Sequence, residues 1–99
     1  MMFDPHHARE FAKELKLKRV TAHKYSAENG LALRLPPHTN NKELKRAREF
    51  VEAHFKAEHL LDSVSLTIKG PRYIHVKPLG MHGLVHLAQI VTHLRSKKA

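Results

Sequence analysis

The chain has 99 residues, no cysteine, and 18 Lys and Arg against 9 Asp and Glu, a formal charge of +9. That length suits one domain with one core, spanning residues 1–99. The missing cysteines exclude disulfides, thiolate zinc sites and cysteine nucleophiles, and no apolar run reaches the roughly 20 residues of a membrane-spanning helix.

The positive charge is spread over both halves of the chain, so it is not the property of a tail. It favours acidic partners: nucleic acid, anionic lipid or an acidic protein. Residues 1–10 contain no apolar core of a secretory signal. The expectation is a cytoplasmic protein with no membrane association.

A first helix is expected from Asp4-Pro5, where Asp is a favoured N-cap and proline sacrifices no needed N–H. Ala8, Phe11, Ala12 and Leu15 then recur at helical spacing, and the helix should end near Leu15 to Leu17. In the segment that follows, Val20 and Ala22 alternate with Arg19, Thr21, His23 and Tyr25. Leu31, Leu33 and Leu35 alternate with Ala32 and Arg34. The Asn29-Gly30 turn between them makes this a hairpin. Strict alternation puts Lys24 on the apolar face, which implies a frayed end or a bulge there. Pro36-Pro37 closes the second strand because proline cannot donate to a ladder.

Asn40 and Glu43 have the spacing of a capping box, and Leu44, Ala47, Val51 and Phe55 mark a second helical stripe, expected to run to Leu61-Asp62. Lys42, Lys45, Arg46 and Arg48 crowd its first two turns, against the helix dipole. The pairs Arg48–Glu52 and Lys45–Glu49 could account for part of that crowding. A second hairpin follows. Val64, Leu66 and Ile68 alternate with Ser65, Thr67 and Lys69. Beyond Gly70-Pro71, Ile74 and Val76 alternate with Tyr73, His75 and Lys77. A third helix opens between Gly80 and Gly83, with a stripe of Leu84, Leu87, Ala88, Val91 and Leu94, widened by Val85 and Ile90. Arg95, Lys97 and Lys98 suit its negative end.

The order is thus α-ββα-ββα. The economical packing is a two-layer α+β sandwich: a mainly antiparallel four-stranded sheet with helices on one face. The two ββα units are alike in pattern, as a duplication would make them.

The sheet's other face then carries Arg19, Thr21, His23, Tyr25, Arg34, Ser65, Thr67, Lys69, Tyr73, His75 and Lys77. Cations for phosphate and tyrosines for base stacking point to nucleic acid, RNA or single-stranded DNA ahead of duplex. Lys42, Lys45 and Arg46 on the second helix and Arg72 at the hairpin tip would add phosphate contacts. A plain solvated sheet face, or an interface with a protein partner or a second copy, would use the same residue types. His23 with Tyr25, or His75 with Lys77, could also serve a metal-independent ribonuclease. Ten histidines are many for this length. His82, His86 and His93 fall near one side of the third helix, but without a carboxylate at motif spacing they set no metal site. No cofactor-binding motif occurs.

Overall fold

The computed structural model describes residues 5–96. These fold in the order α1 (Pro5–Leu17), β1 (Thr21–Ser26), β2 (Gly30–Arg34), α2 (Asn41–Ala57), a 3₁₀ turn (Leu61–Ser63), β3 (Val64–Lys69), β4 (Tyr73–Pro78) and α3 (Met81–Arg95). The expected cap at Asp4 and the cations Lys97 and Lys98 lie outside the described residues.

Alternation in the sequence becomes a two-faced antiparallel sheet in the order β1-β2-β4-β3. Residues directly opposite each other share a face. Leu33 faces Ile74, which faces Ile68, and Leu31 faces Val76, which faces Leu66. These rows join Ala8, Phe11 and Leu15 of α1, Leu44, Val51 and Phe55 of α2, and Leu87, Ile90 and Val91 of α3 in one hydrophobic core. Leu66 and Ile68, though on the apolar face, are only half-buried because β3 is an edge strand.

Asn40 caps α2 as its spacing requires. Its side chain accepts the Glu43 N–H at 2.8 Å, and the Glu43 carboxylate accepts the Asn40 N–H at 3.0 Å. The far end of α2 differs from expectation, stopping at Ala57. There the Leu60 N–H donates to the Phe55 carbonyl at 2.8 Å and the His59 N–H to Lys56 at 3.1 Å, while His59 turns left-handed with φ 59°. This is a Schellman closure, in which the apolar residue after the turn folds back on the helix. Leu60 is buried in that role. The end of α1 repeats the device, with Val20 N–H to Leu15 O, Arg19 N–H to Lys16 O, and φ 61° at Arg19.

Two features position α3. Gly83 lies so close to the Ser63 carbonyl that a β-carbon would collide with it. The helix is also rotated from its expected stripe: Gly83, His86, Leu87, Ile90 and Val91 are buried, whereas Leu84, Ala88 and Leu94 are half-exposed. A further repeat links the first two helices. Ala8-Arg9-Glu10-Phe11 recurs as Ala47-Arg48-Glu49-Phe50, and the two phenylalanines stack with centroids 5.5 Å apart.

Candidate functional site

The helix-free face of the sheet is organised in rows. Thr21, Arg34, Tyr73 and Lys69 lie opposite one another across all four strands, and Lys24, Ala32, His75 and Thr67 form the next row. Ser65 pairs with Lys77 beyond them. None of the strands contains Asp or Glu. Among the described residues the acids sit instead on α1, on α2 and its cap, at Asp62 and at Glu28 in the first hairpin's turn. Tyr73 is therefore a half-buried aromatic ring between Arg34 on one neighbouring strand and Lys69 on the other. The His23 ring leans against it, with centroids 5.1 Å apart. The small side chain of Ala32 leaves a shallow depression walled by Lys24 and His75.

His23, Arg34, Lys69, Tyr73, His75 and Lys77 thus share one surface, as alternation predicts. Tyr25 does not. The ladder slips between Ala22 and Lys24, and the extra residue is His23. A bulge of one residue reverses every later side chain in a strand whose period is two. Lys24 is accordingly turned to the open face, and Tyr25 pairs with Leu31 on the core side. There its ring packs against the core and lies 6.0 Å from the Arg95 guanidinium. Arg19 is a second correction: it is the left-handed residue closing α1, so it precedes the strand rather than pointing from it.

Arg72 is half-buried, and its Nε–H donates to the Leu35 carbonyl at 2.9 Å, tying the second hairpin's turn to the end of the first. Lys42, Lys45 and Arg46 are exposed on the first turns of α2. Arg48 spends its charge on Glu52 at 3.5 Å. Of these cations, Arg46 also lines a recess with Leu35, the residue that follows Arg34.

Sequence reasoning missed a histidine pair. His86 is completely buried, and its Nε2 lies 2.8 Å from Nε2 of His54. Phe11 stacks on the His54 ring at 3.8 Å, and Phe55 meets both imidazoles edge-on. At one end of the group His7 pairs with Glu58 at 2.9 Å. Burial, then the facing His86, pushes the His54 pKa down to about 3. Burial also lowers that of His86, although Glu58 and Gln89 oppose the shift. With both rings neutral, one Nε2–H donates and the other Nε2 accepts. The available signal was the spacing Gly83, Leu87, Ile90, Val91, which puts His86 on the buried stripe of α3. Among the described residues no group of three or more His, Asp or Glu is arranged to hold a metal ion, and no helix is long and apolar enough to cross a membrane.

Comparison with known proteins finds no matching family model, no similar curated protein and no similar solved structure.

Proposed function

We propose that the protein binds single-stranded nucleic acid, RNA or single-stranded DNA ahead of duplex, on the helix-free face of its sheet. The observation that carries this reading is the row Thr21–Arg34–Tyr73–Lys69 on a face without a carboxylate. An unpaired base can lie on the Tyr73 ring while Arg34 and Lys69 meet the phosphates on either side of it. A duplex hides its bases from such a ring. Lys24, His75 and Lys77 extend the positive track along the strands. The residues are cations and one ring, with few groups to read base edges. Affinity is therefore set by phosphate neutralisation and stacking, with limited sequence specificity.

The test is fluorescence anisotropy with labelled single-stranded RNA, single-stranded DNA and duplex at two salt concentrations. Single strands should bind more tightly than duplex. Tyr73→Ala should cost about 1–3 kcal/mol, while Tyr73→Phe, which keeps the ring, should cost much less. No binding at low salt would sink the reading. Unchanged binding by a folded Tyr73→Ala protein would remove the stacking role.

A further inference from the structure

Beyond the last pair of the first hairpin, Thr21 and Arg34, the chain turns from the open face into a recess of about 360 Å³. That is within the range of ligand pockets, roughly 300–1,000 Å³. Its apolar lining comes from Val20, Leu35, Ala47 and Phe50, and its cations are Lys18 and Arg46, with His38 beside them. Its one carboxylate, Glu43, is already engaged in the capping box with the Asn40 N–H. Phe50 is half-buried. Phe11 stacks against its ring, and the Lys18 ammonium stands 4.8 Å from the ring centroid.

Backbone strain is a second, independent mark of the recess. Arg19, His38 and His59 are the described non-glycine residues with positive φ. Arg19 and His59 close helices, but His38, at φ 67°, closes none. It sits in the Pro36-Pro37 turn, where the Thr39 hydroxyl donates to the Pro36 carbonyl. A non-glycine residue held left-handed without a capping role is a feature that gathers at binding sites.

We infer that this recess binds a nucleoside monophosphate unit, with the base taking the place over Phe50 that the Lys18 ammonium holds and the phosphate between Arg46 and the displaced Lys18. An aromatic ring in an apolar lining, with Lys18 and Arg46 at its margin, fits a flat base carrying an anionic phosphate. Two sources share this chemistry: a free nucleotide, and the phosphorylated end of a strand lying on the sheet. The second source rests on the proposed function above; the recess itself does not. The recess lies at the end of the sheet on its helix side, where Val20 and Leu35 join the core. Arg34 stands opposite Tyr73, Leu35 follows Arg34, and Arg72 is bonded to Leu35 through both its carbonyl and its guanidinium.

The test uses the full chain, labelled with nitrogen-15 and titrated with AMP. Amide shifts should centre on Val20, His38, Ala47 and Phe50. Arg46→Gln should weaken AMP by about tenfold, the size of one charge-assisted contact, and adenosine should bind more weakly than AMP. Phe50→Leu keeps an apolar side chain against Phe11 but removes the ring, and should also weaken AMP. In a second arm, oligonucleotides with a phosphate or a hydroxyl at the 5′ or 3′ end carry their label at the other end. A gain of about tenfold from the phosphate, lost in Arg46→Gln and kept in Tyr73→Ala, identifies the strand end as the ligand. AMP shifts at the recess without that gain identify a free nucleotide. Absence of both, or AMP shifts scattered over the lysine surface, overturns the proposal. Binding of the hydroxyl-ended strand and its loss in Tyr73→Ala judge the sheet separately.

Discussion

At the scale of single residues, the chain keeps two left-handed positions that glycine would occupy without strain. Arg19 and His59 both close helices at positive φ, where an L side chain costs roughly 1–2 kcal/mol. His59→Gly should therefore raise stability by about 0.5–1 kcal/mol, measured as an upward shift in urea midpoint, despite the looser unfolded chain. Arg19→Gly should stabilise likewise. The histidine pair makes the opposite kind of residue: comfortable when neutral, costly when charged. The His54 pKa falls to about 3 in the fold, from 6.5. Between those values the unfolded chain binds protons that the folded one refuses. Stability is thus full above pH 6.5 and drains as pH falls toward 3, at up to about 1.4 kcal/mol per pH unit for a fully differential proton. Melting temperatures across that window should fall steeply in the native protein and less so in His86→Leu, which removes the facing imidazole.

At the scale of elements, docking depends on a few close approaches. Gly83→Ala would drive a methyl group into the Ser63 carbonyl. It should lower stability more than Gly80→Ala, whose added carbon meets nothing nearby; thermal melts of the two variants compare them directly. Phe55, buried among both histidines and Phe11, should cost about 3–5 kcal/mol when cut to alanine. The sequence exposes such elements unevenly. Both hairpins and the α2 capping box were legible because alternation and cap spacing are local. The bulge at His23 was legible only as an anomaly at Lys24, since alternation alone cannot say which residue is extra. The end of α1 at Leu17 was legible, but that of α2 was obscured because His59 occupies a site where glycine would have announced a stop. The His54–His86 contact joins residues far apart in sequence, so no window along the chain contains it. The same holds for the meeting of Arg46 with the end of the sheet, which depends on how α2 is folded back beside Leu35.

At the scale of the whole molecule, charge is sorted by surface. The sheet's open face holds Lys24, Arg34, Lys69 and Lys77 without a carboxylate, while the acids among the described residues sit in the helices and turns. Polyanion affinity should fall linearly on a logarithmic salt scale. Each phosphate contact removed should flatten the slope by about 0.7 for a single strand. Lys69→Ala with Lys77→Ala tests this by titration at several salt concentrations; a slope unchanged by both substitutions would exclude these lysines from the contact. The sorting also has a consequence in time. A body with one unopposed positive face is turned by the field of an approaching anion before the two touch, so many encounters begin in the right orientation. Salt should then act chiefly on how often complexes form. Removing the Tyr73 ring, which acts only after contact, should shorten how long they last and leave their rate of formation nearly unchanged.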